Sequence, residues 1–176
     1  MSTQAVLIRP FETTDWAAVW NIIEPVFREG ETYPMSPDIT EDEARQAWVE
    51  TAAYTYVVLH QNGDIVGTYY IRPNQPALGA HVCNCGYIVA DTARGRGIAS
   101  RMCEHSQQEA LAKGYQAMQY NLVVSTNEAS IHLWKKHGFQ VVGTLPRAFR
   151  HARFGCVDAL VMYKELGTGQ PVADTP

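Results

Sequence analysis

Arg94, Gly95, Arg96, Gly97, Ile98 and Ala99 follow an extended-looking run and open an amphipathic one. At such a junction free backbone N–H groups converge on an anion and the helix dipole adds attraction. Glycines at 95 and 97 remove the Cβ atoms that keep a phosphate from the backbone, so a diphosphate fits. Two nucleotide readings fail on the same residues. A dinucleotide fingerprint needs glycine where Ser100 stands and an acidic residue about 20 positions on, where residues 117–121 have none. A P-loop needs Gly-Lys-Ser/Thr, which the chain lacks. The turn therefore holds the phosphate of another carrier or merely reverses the chain.

A second cluster begins at Asn127, a helix N-cap residue, and runs through Ser130, Leu133, Trp134 and Lys136 to Gly138 and Phe139. Together the two segments resemble the GNAT superfamily of N-acetyltransferases. Its phosphate loop reads Arg/Gln-x-x-Gly-x-Gly/Ala and its later helix Asn-x-x-Ala/Ser-x-x-Leu-Tyr-x-Lys-x-Gly-Phe. Arg94, Gly97 and Ala99 match the first pattern; Asn127, Ser130, Leu133, Lys136, Gly138 and Phe139 match the second. The resemblance implies the GNAT acyl-CoA N-acyltransferase fold and acetyl-CoA as cosubstrate, its pyrophosphate held by Arg94, Gly95, Arg96, Gly97, Ile98 and Ala99. It also implies a pantetheine arm between two splayed parallel strands, beside Tyr87, Ile88 and Val89, with Asn127, Ser130 and Trp134 facing it from the later helix.

Acetyl transfer from a thioester needs a neutral amine. A lysine-like amine with pKa ~10.4 is about 0.04% unprotonated at pH 7, so deprotonation costs roughly 4.6 kcal/mol. A side chain or a water chain must take that proton. In the family a backbone N–H near Ile88 or Val89 holds the oxyanion, and Val89 is the candidate here. Trp134 departs from the pattern, standing where the family has a tyrosine that protonates the departing thiolate. An indole N–H cannot serve as that acid, which makes Trp134 a pocket wall. Tyr120 is the catalytic candidate in its place, with Tyr87 and Ser130 as further hydroxyls.

Asn84 and Asn121 are amides inside otherwise apolar runs, each a structural bridge or a clamp on the acceptor, with Asn121 also a catalytic candidate. Glu31 and Tyr33 come from an early loop that rims the acceptor cleft in the family. Arg147, Arg150 and Arg153, between the last two strands, form a solvated basic loop or a clamp for an acidic acceptor. His81 is a base or simply exposed. No cysteine stands with a histidine and an acid, so direct attack of the amine is expected, on a small amine such as an amino acid or analogue. Residues 81–87 with Tyr120, Asn121 and Leu122 further resemble acetyltransferases of proline-type imino acids. Protein N-termini or lysines, and a non-catalytic acyl-CoA-binding regulator, are the alternatives.

The elements that must position these residues read from periodicity. A strand at 6–11 precedes an amphipathic helix through Trp16, Val19, Ile22, Ile23 and Val26, capped by Thr13, Thr14 and Asp15. Thr40 and Glu43 have capping-box spacing for a second helix to about residue 50. Strands at 54–60 and 65–71 flank Asn62-Gly63 as a hairpin. A strand at 82–89, helix from Ile98, strand at 117–124, helix at 127–137 and strands at 139–144 and 157–163 complete the order. This is an α/β architecture, a mixed α+β sheet of about seven strands with four helices on both faces. It forms a single domain over residues 1–166 with a frayed tail at 167–176.

The 176 residues, 46% hydrophobic and 18% charged, bury one real core and exclude disordered or fibrous classes. A net charge of −4 argues against nucleic-acid binding, and no apolar run reaches the ~18 residues of a membrane span. With no signal-peptide pattern in residues 1–6 and no Cys-x-x-Cys pair, a cytoplasmic protein without a metal is expected. Cys83 and Cys85, ~6.6 Å apart at strand rise, read as buried thiols and not as a bridge. The family commonly dimerises, but no interface is legible in the residues.

Overall fold

The structure, a computed structural model, describes residues 6–167, so the tail expected at the carboxy terminus lies outside the described residues from 168 onward. In chain order the elements are β1 (Leu7–Pro10), α1 (Trp16–Glu29), α2 (Glu41–Arg45), β2 (Tyr54–Leu59), β3 (Ile65–Pro73) and β4 (Val82–Val89). There follow α3 (Ile98–Ala112), β5 (Ala117–Val124), α4 (Glu128–Lys136), β6 (Gln140–His151) and β7 (Gly155–Glu165). The strands form one sheet in the order β1-β2-β3-β4-β5-β7-β6. Every neighbouring pair is antiparallel except β4 and β5.

Side chains alternate across the sheet and build a core on each face. On one face Tyr56, Tyr69, Cys83, Cys85, Met118 and Tyr120 pack against Ile98, Met102 and Cys103 of α3 and Trp134 of α4. On the other, Val57, Tyr70 and Ile88 pack against Val19, Ile23 and Phe27 of α1 and against Ala44 and Trp48. The four helices thus divide two and two, which produces the mixed layered architecture expected.

Three local expectations change. Asp15 makes no cap to α1; residues Thr13–Asp15 form a 3-10 turn, and the carboxylate instead accepts from Arg9 and from the Glu12 amide. The second helix does receive its capping box, with Glu43 N donating to Thr40 Oγ1 at 3.3 Å and Thr40 N to Glu43 Oε2 at 2.9 Å. Its later part widens into a π-helical turn at Gln46–Glu50, closed by Thr51 N donating to Gln46 O at 2.9 Å. The last two strands are longer than the periodicity predicts, because a register irregularity between Leu145 and Phe149 lets β6 continue through residues that interrupt the alternation. Arg147 and Arg150 therefore lie within β6 and not in a loop.

The feature that matters for function is the junction of β4 and β5. They pair only at Val82↔Ala117 and Cys83↔Met118 and then separate. Beside the opening, β5 carries its own irregularity between Tyr120 and Val123 in its pairing with β7.

Candidate active site

The opening leaves backbone groups of β4 without a strand partner. Ala90 N donates to Val66 O of β3, while Gln116 N, at the start of β5, donates to His81 O. Backbone groups alternate sides along a strand, so even-numbered amides of β4 turn to β3 and odd-numbered ones to β5. The amides of Tyr87 and Val89 thus face the gap. Ile88 turns its amide to β3 and contributes its buried side chain, so of the pair Ile88 and Val89 only Val89 offers an N–H to the opening.

Tyr33, from the loop after α1, reaches this gap. Its hydroxyl donates to Tyr87 O at 2.8 Å and accepts from Tyr87 N at 2.8 Å, standing where a neighbouring strand would otherwise bond. Burial pushes the Tyr33 phenol well above its ordinary pKa, so it stays protonated.

The gap widens into a cavity of about 750 Å³ that runs from Tyr33 and Met35 past Tyr87 and Val89 to the turn at Arg94–Ala99. Gly95 and Gly97 adopt left-handed φ of 74° and 76°, and a Cβ on either meets nothing within 4 Å, so the turn is an open concavity that side chains would fill. Gly97 caps α3 without a side-chain bond, and the Ile98, Ala99 and Ser100 N–H groups have no acceptor among the described residues. These features fit a diphosphate. Arg94 is exposed and pairs with Asp91 at 3.4 Å, and Arg96, also exposed, does not line the cavity. Asn127 caps α4, its Oδ1 accepting from Ser130 N at 3.2 Å, and both residues line the cleft with Trp134.

Trp134 is buried against Tyr87 and Tyr120, with ring centroids 5.0 Å from each. Tyr120 stacks on Phe139 at 4.3 Å, and its hydroxyl lies 3.0 Å from that of Tyr87, which lies 2.7 Å from Ser106 Oγ. Ser106 donates onward to Cys103 O at 2.9 Å, so the chain of hydroxyls runs inward from Tyr120. Burial raises both phenols well above the ordinary value.

The two amides have protein partners. Asn84 Nδ2 donates to Gln119 O at 2.9 Å, spanning β4 and β5 where they part. Asn121 is exposed, accepts from Gln119 Nε2 at 2.9 Å and donates to Asn74 Oδ1 at 2.7 Å, so both act as bridges in this arrangement. Glu31 lines a smaller cavity of about 150 Å³ that shares Thr32 and Asn127 with the cleft. It is held by Arg153 through contacts of 2.6 and 2.8 Å, which commits Arg153 to the protein's own carboxylate. Neither Arg147 nor Arg150 lines the cleft, and His81 is exposed. Sequence reasoning passed over Arg72, a half-buried cation on β3 that does line it; a lone charge in the run from Ile65 to Pro73 was the available signal. Among the described residues no group of three or more His, Cys, Asp or Glu is placed to hold a metal.

A sheet opened between two parallel strands, leading to an uncapped glycine turn, is the architecture of an acyl-CoA N-acyltransferase. A family model described as the acetyltransferase (GNAT) family matches residues 16–139, and the chain belongs to that family. It is an acetyl-CoA-dependent N-acetyltransferase. The chain is 28% identical over 148 residues to the N-acetyltransferase aca1 of Schizosaccharomyces pombe, across 75% of this chain and 71% of that protein. A GCN5-related N-acetyltransferase structure from Kribbella flavida superposes with a TM-score of 0.87 at 36% identity, covering 92% of this chain and 98% of that one. The fold is shared with a phosphinothricin acetyltransferase from Sinorhizobium meliloti in complex with AcCoA, with a TM-score of 0.81 at 18% identity over 97% and 92% of the two chains.

Proposed function

We propose that the protein transfers the acetyl group of acetyl-CoA directly to the amine of a small molecule of amino-acid type. The observation that carries this reading is the continuity of one cleft, from gap-facing amides at Tyr87 and Val89 to the unsatisfied N–H groups at the start of α3. Arg94, Gly95, Arg96, Gly97, Ile98 and Ala99 hold the diphosphate through their backbone, and Asn127, Ser130 and Trp134 wall the path of the arm.

Val89 N–H stabilises the oxyanion that forms when the amine attacks the thioester. Tyr120, beside Trp134, supplies a proton to the departing thiolate and recovers one from water in the cleft, while Tyr87 and Ser106 hold its hydroxyl in place. Tyr33 and Asn121 border the acceptor end, Asn84 bridges the two strands where they part, and Glu31 fixes the loop that carries Tyr33. That loop covers the acceptor end, which favours a small amine over a protein chain. All four cysteines are free thiols, in keeping with the cytoplasm, and no helix among the described residues is long and apolar enough to cross a membrane.

Replacing Gly97 by valine tests the reading. A β-branched residue at a left-handed φ distorts the turn and costs about 1–2 kcal/mol of stability. Titration calorimetry should show acetyl-CoA affinity falling at least about 100-fold, more than that strain explains, while thermal unfolding stays cooperative. Unchanged affinity would remove the diphosphate from this turn.

A further inference from the structure

The cleft is lined by Arg72, Arg94, His132 and Lys136 and by no aspartate or glutamate. Three of these four residues belong to the diphosphate end. Arg94 is in the turn itself, and α4, which carries His132 and Lys136, is tied to the start of α3 by the 2.6 Å contact between Ser100 Oγ and His137 Nε2. Arg72 stands apart at the acceptor end, across from Asn84 in the pairing of β3 with β4.

Its guanidinium lies 5.0 Å from the centre of the Tyr70 ring and has no ion pair or hydrogen bond among the described residues. Tyr70 in turn crosses β4 at Gly86, its strand partner, where a Cβ would come within 2.6 Å of the ring. The absence of a side chain at Gly86 therefore seats Tyr70, and Tyr70 gives the guanidinium a surface to rest on. A guanidinium with five N–H donors thus lines the cleft with no carboxylate there to receive them. Gly86 is one residue, ~3.3 Å of strand rise, from Tyr87, whose backbone borders the reacting centre.

We propose that Arg72 is the anion receptor of the acceptor site and that the acceptor is a small amine carrying a carboxylate. The proposal rests on the acetyltransferase reading above and narrows its substrate class. The amine lies at the gap beside Tyr87 and Val89, and its carboxylate takes a forked pair of hydrogen bonds from Arg72. An acid-free cleft gives a second ammonium group no counter-charge, so polyamines and other polycationic amines are poor acceptors.

The experiment follows coenzyme A release with a thiol reagent, comparing amino acids with their own carboxamides, which preserve the amine and shape and remove the charge. The native enzyme should favour each acid over its amide by at least about 10-fold in kcat/KM. Arg72→Gln should raise KM for the acids by about 10- to 100-fold with little change in kcat, bringing the two series within a few-fold of each other. Arg72→Lys should recover part of the preference, since it keeps the charge and loses the fork. Equal use of acids and amides by the native enzyme, a comparison that needs no variant, overturns the receptor while leaving the acetyltransferase reading intact. So does an equal loss on both series in Arg72→Gln. Turnover of no amine at all overturns both.

Discussion

Tyr33 spends its hydroxyl on both backbone groups of Tyr87, which an extended ligand in the gap must also use. Tyr33→Phe leaves a buried N–H and C=O without partners, so urea denaturation should show about 1–3 kcal/mol lower stability. The same change frees those groups for the ligand, and acetyl-CoA should bind several-fold tighter. Weaker binding would mean that the hydroxyl touches the ligand instead of giving way to it. Neither role was legible in sequence, where Tyr33 is a tyrosine between a threonine and a proline. The glycine turn and the Asn127 cap were legible, because their function lies in local backbone geometry. Asn84 and Asn121 were legible only as a bridge or a clamp and Arg153 only as one of a basic group, because the choice depends on a partner from another element; Arg72, resting on a ring of its own strand, was passed over. The amides find Gln119 and Asn74, Arg153 finds Glu31, and Arg72 finds only a ring.

Periodicity recovered the order of strands and helices because both faces of the sheet are covered and each element must present its apolar stripe. The parting of β4 from β5 had no such signature, since splayed and paired strands alternate alike. At the sheet's far edge, β1 is fastened to the approach of α1 by Arg9, which donates to Asp15 at 2.7 and 2.9 Å, with the Glu12 amide adding a third bond at 2.8 Å. Hydrogen bonds from Arg9 hold the Asp15 carboxyl below its ordinary range despite burial. A depressed folded-state pKa gives stability that is complete above the unfolded value of ~3.9 and lost as pH falls through the folded one. Asp15→Asn should therefore unfold at lower urea than the native protein at pH 7, by about 1–3 kcal/mol, with the two curves converging below pH ~4. A difference that stays constant between pH 7 and pH 3 would assign the loss to packing.

Across the whole molecule the chain carries a net charge of −4, yet its cleft is lined by no carboxylate. The acidic residues serve the surface and the latches, which leaves the acceptor's proton no aspartate or glutamate to take it. Burial pushes the phenols of Tyr33, Tyr70, Tyr87 and Tyr120 upward, and burial lowers His137 beside the start of α3, so these groups keep one protonation state from about pH 7 to 9. The group that titrates is then the substrate itself, and its proton leaves through water. kcat/KM should rise tenfold per pH unit and level off at the free amine's own pKa. An α-amino acceptor near ~7.8 and an alkylamine near ~10.4 should thus show inflections separated by more than two units on the same enzyme. An inflection fixed at one pH for both acceptors would identify a protein base in place of water.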